Sequence, residues 1–300
     1  MRNFKGPLYL LICSIIWGST FVAQSVSMDS IGPFSFNVAR FIVGFIALLP
    51  VTIFQIKKAA KERLDYKKYI KTSILNGLTI GVFTGLASSF QQYGLLSASA
   101  SKAGFLTALY IVLVPIIGIA FKRSKLKGNS VFAVILAMVG FYLLSVKGDF
   151  TIEKADVYLI ICAVLYSFQI ILIDIYDDYS NPIILSSMQL VPSIIISFIL
   201  MIIFKEQTTI INVQNAMIPI LYAGVLSLGV AYTFQILGQK YTDPTLATLI
   251  MSLESVFAAI AGYLLQGDVL TSRELIGCTI IFAAVIICQV NFKKKEEKKM

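Results

Sequence analysis

The sequence predicts an all-α polytopic membrane protein with ten transmembrane helices in two inverted five-helix repeats. Three observations lead to this fold class. Of the 300 residues, 57% are apolar and only 14% are charged, which is far from the composition of soluble domains. The apolar residues fall into ten stretches joined mostly by short connections, and the second half of the chain repeats residues of the first half.

Each predicted helix is a mostly apolar stretch close to the roughly 20 residues that cross a hydrocarbon core of about 30 Å. The first stretch follows Arg2 and Lys5 as a signal peptide would, but the later stretches indicate an uncleaved first helix. In chain order, the predicted stretches are Pro7 to Ser27, Pro33 to Ile56, Ile70 to Leu96, Ala103 to Phe121, Ser130 to Val146, Ala155 to Ile175, Ile183 to Phe204, Ala216 to Gly238, Thr245 to Leu265 and Leu275 to Phe292.

Lysine and arginine determine the predicted orientation. They are concentrated at the N-terminus, from Lys57 to Lys71, from Lys122 to Lys127 and in the tail, residues 293–300. Short connections rich in these residues remain in the cytoplasm. We therefore predict a multi-pass protein of the cell membrane with both termini cytoplasmic. The basic tail is interpreted as a topological anchor, and binding to anionic lipid is the alternative.

The chain repeats itself at two related offsets. At an offset of 144 residues, Phe90-Gln91 in the third helix is repeated as Phe234-Gln235 in the eighth. The first two helices of each half align at an offset of 149, which places Trp17 over Tyr166. Internal similarity of this kind indicates a duplicated structural unit.

Five helices are an odd number, so the second unit must enter the membrane from the opposite side to the first. We predict a first repeat in residues 1–148 and an inverted second repeat in residues 149–292. Inverted repeats recur in secondary transporters, because exchanging the conformations of two similar halves moves the opening of a central cavity from one side to the other. A duplicated scaffold without transport is the alternative.

The composition excludes several classes of function. No histidine is present, so His-dependent catalytic triads and His-ligated zinc or haem sites are excluded. The net charge is +9, but the basic residues lie between apolar runs, and we predict no nucleic-acid partner. The four cysteines lie inside apolar runs without the spacing of a disulfide framework or metal site. We predict no catalytic residue, no metal and no cofactor.

Two ionisable residues stand out because they lie deep within predicted helices, where charge is costly and indicates function. Glu254 follows Pro244 by ten residues, about 15 Å along a helix and so near the middle of the bilayer. We expect it to contact substrate or to exchange a proton, and a permanently protonated, hydrogen-bonded Glu254 is the alternative. Arg40 lies about 10 Å below the outer surface. A functional Arg40 attracts an anionic group or pairs with a carboxylate. The alternative is that it extends outward to water or hydrogen-bonds the carbonyls at a helix end.

Neutral polar and aromatic side chains complete the predicted substrate site. Their helices carry them toward the depth of Glu254, and Tyr110 is the repeat equivalent of Glu254 itself. Packing or helix-to-helix hydrogen bonding is the alternative for each of them. The residues are Trp17, Tyr110, Tyr166, Gln169 and Gln189.

Two further groups of residues receive structural interpretations. Gly77, Gly81 and Gly85 recur every fourth residue on the third helix and predict a surface on which another helix packs closely. Asp174, Asp177 and Asp178, near the inner end of the sixth helix, are interpreted as part of a solvated loop and are left out of the site.

Several local patterns link the chain to a known family. They are Trp17 to Phe21 in the first helix, Pro33 to Arg40 in the second, and Leu253 to Phe257 with Gly267-Asp268 in the ninth. With these patterns the chain resembles, over essentially its full length, the EamA-type permeases of the drug/metabolite transporter superfamily. The sequence departs from the family pattern at Ser255, where proline is usual.

The resemblance implies a secondary active transporter that exports small metabolites, amino-acid-like compounds or drug-like amphiphiles. Its partners would be a small-molecule substrate, the lipid bilayer and protons, and it would act as a monomer or a homodimer. A receptor or scaffold without transport is the first alternative, and an intramembrane enzyme is the second. The chain has no Walker-type loop for ATP-driven pumping.

Overall fold

The protein is a helical bundle that confirms the predicted fold class. The computed structural model describes residues 4–98, 100–122, 128–145, 153–267 and 269–297. Within these ranges there are nine helices long and apolar enough to cross a membrane, together with a shorter apolar helix, Gly128–Leu144. Residues 148 and 149, where the predicted repeats meet, and residues 298–300 of the predicted tail lie outside the described residues.

The ten membrane-crossing units follow the predicted stretches, and four of them consist of more than one helical segment. Prolines at the first helical position, where the missing N–H costs nothing, begin the second, seventh and ninth units. In chain order the units are Lys5–Ser27, Pro33–Glu62, Tyr66–Gly94, Ala100–Thr107 with Tyr110–Ala120, Gly128–Ser145, Lys154–Tyr176, Pro182–Met188 with Leu190–Ile203, Met217–Leu221 with Tyr222–Ala231 and Tyr232–Gln239, Pro244–Met251 with Glu254–Gln266, and Ser272–Glu297.

The fourth and ninth helices are broken at equivalent positions of the two repeats. One break separates Ala100–Thr107 from Tyr110–Ala120, and the other separates Pro244–Met251 from Glu254–Gln266. No proline causes the break in the ninth helix, because Ser255 stands where the family pattern has one. The backbone instead tightens to bonds between residues three apart, and these bonds recur in both breaks: Leu109 N–H to Leu106 O, Ile111 N–H to Ala108 O, Leu253 N–H to Ile250 O and Ser255 N–H to Ser252 O.

The eighth helix widens where it passes the centre of the bundle. Its segment Tyr222–Ala231 is π-helical, and at the end of this segment Tyr232 N–H donates to Ser227 O. π-Helical turns are rare and frequently lie at functional sites. The equivalent part of the third helix is regular α-helix, so the two repeats differ at this point.

The repeats interlock by exchanging neighbours. The first helix packs on the eighth and ninth, and its equivalent, the sixth, packs on the third and fourth. The second helix packs on the eighth and the seventh packs on the third, while the fifth lies along the tenth. Each of these contacts has its counterpart under exchange of the repeats. The bundle therefore has approximate twofold symmetry, and its centre lies between the repeats.

Candidate functional site

Seven helices enclose a polar cavity near the middle of the bundle. The first, second, third, fourth, sixth, eighth and ninth helices contribute side chains. The cavity has a volume of about 40 Å³, which is room for a few water molecules. Ligand pockets are usually several hundred Å³, so this conformation is contracted around the site. Among the predicted site residues, those that line the cavity are Trp17, Arg40, Tyr110, Tyr166, Gln169 and Glu254.

Glu254 and Tyr110, which the repeat superimposes, meet in this cavity. The Tyr110 hydroxyl donates to Glu254 Oε1 at 3.0 Å. Each residue begins the second segment of its broken helix, so the equivalent breaks bring the two side chains together at the symmetry centre. Glu254 is 4% exposed. Among the described residues, Tyr110 is the side chain that hydrogen-bonds to Glu254.

Arg40 is buried without a carboxylate partner in the described part of the chain. It is 3% exposed, and its Nε donates to Asn37 Oδ1 at 2.9 Å. With the Gln24 amide turned so that its oxygen faces the guanidinium, that oxygen accepts from both terminal nitrogens, at 2.7 and 3.2 Å. The rings of Phe36 and Phe41 lie 5.3 and 5.4 Å from the guanidinium carbon. Neutral acceptors and aromatic faces hold the charge in place but do not neutralise it, so the site can attract an anionic group.

Aromatic side chains form another part of the cavity wall. Trp17 contacts Tyr232 edge-on, with ring centroids 5.2 Å apart. The hydroxyls of Tyr232 and Tyr166 are 3.3 Å apart, and Ser88 Oγ lies 2.9 Å from the Tyr166 hydroxyl. Trp17 and Tyr166 are repeat equivalents, so this wall is also built from both halves. It offers flat apolar surface together with hydroxyl donors and acceptors.

Two glutamines close another part of the cavity. Gln169 and Gln235 pair through their amides, each Nε2 donating to the other Oε1 at 3.1 Å. Gln91, the repeat equivalent of Gln235, donates to Thr107 Oγ1 at 3.3 Å. The paired amides satisfy each other, as buried polar groups must, and they join the sixth helix to the eighth.

Gln189 lies outside the cavity, although the sequence places it with the other site residues. It occupies the break in the seventh helix, and a Cβ on Gly81 would lie 2.8 Å from Gln189 Cα. This close packing turns its side chain into the interface with the third helix, where Thr84 Oγ1 donates to Gln189 Oε1 at 3.2 Å. Helix depth alone could not reveal that the side chain points away from the site.

The glycine stripe of the third helix lies against the seventh helix. A Cβ on Gly77 would approach Met188 Cβ to 2.7 Å, and a Cβ on Gly85 would approach Ser193 Cα to 2.7 Å. Together with Gly81, these positions let the third and seventh helices approach at backbone distance. The stripe thus joins the two repeats directly beside the site.

Some lining residues were not predicted from the sequence. Gln91 and Gln235 could have been identified from the sequence, because they form a repeated pair at the offset of 144 residues. Gln24 and Tyr232 could not, since only the packing of the helices brings them to the cavity. The interpretation of the aspartates as a solvated loop is wrong for Asp177, which is buried and lies 3.4 Å from Lys240 Nζ.

Comparison with known proteins identifies the family. The model of the EamA-like transporter family matches residues 4–146 and residues 153–289, once for each set of five helices. The chain belongs to the EamA-like transporter family. Two matches to one unit of five helices agree with the inverted-repeat architecture, because an odd number of crossings reverses the direction of the second copy.

Relatives of this EamA-like chain have also been described as transporters. An uncharacterized transporter of Archaeoglobus fulgidus is 32% identical over 291 residues, covering 96% of this chain and 86% of the relative. The uncharacterized transporter YoaV of Bacillus subtilis is 20% identical over 299 residues, covering 97% of this chain and 99% of the relative. One solved crystal structure is similar with a TM-score of 0.78 at 15% identity, covering 99% of this chain and 100% of that chain. At this identity it supports the fold alone.

Proposed function

We propose that this EamA-like transporter is a secondary active transporter of the plasma membrane. It exports small metabolites, amino-acid-like compounds or drug-like amphiphiles by alternating access. The observation that carries this proposal is the pair of buried ionisable groups in one contracted cavity, Arg40 without an ionic partner in the described chain and Glu254 with one hydrogen-bonding side chain. A scaffold has no need of such costly groups at its centre.

The arrangement suits a reversible substrate site. Arg40 offers an anionic group of the substrate a charge-assisted hydrogen bond, while Trp17 and Tyr232 offer apolar ring surface. The cavity must enlarge to admit a molecule larger than a few waters. In a bundle with inverted repeats this enlargement occurs on one side at a time, when one half tilts against the other.

Glu254 is the proposed proton carrier. Tyr110 lies within hydrogen-bonding distance and is contributed by the other repeat, so movement of the repeats against each other changes the surroundings of the carboxyl group. A group whose surroundings alternate between two sides can take a proton on one side and release it on the other. Proton movement would then supply the energy for export.

The proposal is tested with purified protein in liposomes. A panel of metabolites and amphiphiles is screened for uptake with and without an imposed pH gradient. We expect one or more compounds to accumulate faster when the gradient is present, and Glu254→Gln to remove this acceleration. Tyr222→Phe is the control, because the Tyr222 hydroxyl contacts Ser19 Oγ and does not line the cavity. Equal pH responses in wild type and Glu254→Gln would refute coupling through this residue.

A further inference from the structure

A carboxylate of one repeat caps a helix of the other at the end of the bundle where the first helix meets the second. Glu206 Oε1 accepts from Phe34 N–H at 3.1 Å, and Glu206 Oε2 accepts from Ser35 N–H at 2.8 Å and from Ser35 Oγ at 2.6 Å. Thr208 Oγ1 donates to Ser35 Oγ at 2.6 Å. We refer to Glu206, Thr208, Phe34 and Ser35 as the outer latch, since the predicted orientation places this end outside the cell.

Aromatic rings continue the outer latch toward the cavity. Phe34 stacks on Tyr93 with centroids 5.7 Å apart and contacts Phe204 at 4.9 Å. Tyr93 also contacts Tyr158 at 5.1 Å. These rings come from the outer ends of the second, third, sixth and seventh helices, so they join both repeats. Opening this end requires the rings to separate together with the latch.

The opposite end of the bundle has the equivalent contact in a weaker chemical form. Asn181, before the seventh helix, donates from its backbone N–H to Ser73 Oγ at 2.9 Å and from Nδ2 to Gln55 Oε1 at 3.4 Å. Asn76 Nδ2 donates to Ser180 Oγ at 3.0 Å. We refer to Gln55, Ser73, Asn76, Ser180 and Asn181 as the inner latch. All of its members are neutral.

The two latches occupy related places in the two repeats. The second helix begins at Pro33 and the seventh at Pro182, which the offset of 149 residues superimposes. Asn181 caps its own helix through Oδ1, which accepts from Ile183 N–H and Ile184 N–H. The cap of the second helix comes instead from Glu206, across the boundary between the repeats. Among the residues that the structure describes, a helix cap that crosses between the repeats is found at the outer end.

From this asymmetry we infer that Glu206 holds the outer end closed and makes the outward-closed arrangement the resting state of the empty transporter. Hydrogen bonds to a carboxylate are about twice as strong as those between neutral groups, and a helix N-terminus attracts negative charge. Lys102 adds an ion pair between the repeats at this end, 2.9 Å from Asp156 Oδ1. At the inner end Lys240 and Asp177 also pair, but both belong to the second repeat, so this pair does not join the two repeats.

This inference rests on the proposed alternating access and on the predicted orientation, so its test measures accessibility and not flux. Thr20 lines the cavity and is 3% exposed. Thr20→Cys is introduced after the four native cysteines are replaced, and a membrane-impermeant maleimide is applied from outside to cells. Glu206→Gln should increase the labelling rate about tenfold, which corresponds to the loss of one charged cap.

The matched control is Glu62→Gln. Glu62 is an exposed carboxylate at the other end of the second helix from Ser35. It should leave the outside labelling rate unchanged. In inside-out vesicles, Ser73→Ala with Asn76→Ala should increase labelling from the cytoplasmic side without increasing the outside rate. Thermal unfolding of each purified variant identifies any that fail to fold.

A reversible lock, in which a disulfide replaces hydrogen bonds of the outer latch, provides a second test. The side-chain oxygens of Ser35 and Thr208 are 2.6 Å apart, so cysteines at both positions are close enough to form a disulfide. Oxidation of Ser35→Cys with Thr208→Cys should abolish outside labelling at Thr20→Cys, and reduction should restore it. Unchanged labelling in Glu206→Gln, or an increase seen only from the cytoplasmic side, would overturn the inference. If the labelling rates change as expected but no flux of any compound is detected, the result would contradict the proposed transport and not the role of Glu206.

Discussion

Arg40 illustrates how one residue can be costly for the fold and useful for the site. Its guanidinium is removed from water and is held by Asn37, Gln24 and two aromatic rings. A buried charge without a counterion destabilises a protein unless hydrogen bonds offset the loss of hydration. Arg40 lines the central cavity, so a substrate anion bound there would offset the unfavourable free energy of the buried charge.

The first residue-scale prediction separates stability from transport. Arg40→Met removes the charge but keeps an unbranched side chain, and we expect thermal stability equal to or above that of the wild type. Flux of an anionic substrate should fall about hundredfold, because a charge-assisted hydrogen bond is lost. Arg40→Lys, which keeps the charge without the forked geometry, should retain part of the flux. Wild-type flux in Arg40→Met would show that the charge does not contact substrate.

The second residue-scale prediction concerns the contact between repeat equivalents. Tyr110→Phe removes the hydroxyl that donates to Glu254 Oε1 at 3.0 Å, while the ring and its packing remain. Losing one hydrogen bond of about 1 kcal/mol should reduce flux about fivefold and alter its response to a pH gradient. Liposome flux at several pH values measures both effects. The same response in Tyr222→Phe would show that the contact with Glu254 is not the cause.

At the scale of helices, the breaks in the fourth and ninth units are the feature that creates the site. They occur at equivalent residues and use equivalent backbone hydrogen bonds. Glu254 and Tyr110 each begin the segment that follows a break, and their side chains meet in the cavity. Broken helices near the bilayer centre are a recurrent way to build transporter sites.

The third prediction belongs to the packing of the third helix on the seventh. Gly81→Ala would place a Cβ 2.8 Å from Gln189 Cα, and overpacking of this kind costs about 1 to 3 kcal/mol. We expect a lower thermal stability and reduced flux. Gly128→Ala is the matched control, because no atom lies within 4 Å of a Cβ at that position. Equal stability of the two variants would show that the helices can separate without cost.

At the scale of the whole molecule, the exchange of neighbours explains how five-helix units cooperate. The first helix packs on the eighth and ninth, and the sixth packs on the third and fourth. Each repeat therefore completes the surroundings of the other, and the cavity receives side chains from both. Tilting one half against the other must change both ends of the cavity together, which is the requirement for alternating access.

The fourth prediction tests the orientation of the whole chain. Ten crossings return the chain to the side where it began, and the basic connections place that side in the cytoplasm. Epitope tags at both termini should be protected from impermeant reagents in intact cells and accessible after permeabilisation. A tag inserted between Phe204 and Thr209, in the predicted outer connection, should be accessible in intact cells. Termini on opposite sides would contradict the inverted arrangement.

The sequence alone was sufficient for the features that depend on local chemistry. Apolar stretches of membrane-spanning length predicted the helices, because hydrocarbon accepts few polar residues. The repeat predicted the architecture and identified Tyr110 as the equivalent of Glu254, while depth along a helix identified Glu254 and Arg40. All three residues line the cavity.

Only the tertiary structure decided which polar side chains share the site. Depth gives the level of a residue in the bundle, but the direction of its side chain depends on the rotation of the helix and on its neighbours. Gln189 has a suitable depth, yet close packing on Gly81 turns it into an interface. Gln24 and Tyr232 reach the cavity because helices distant in sequence pack beside Arg40 and Trp17. The cap of Glu206 on the second helix likewise depends on two repeats that meet only after folding.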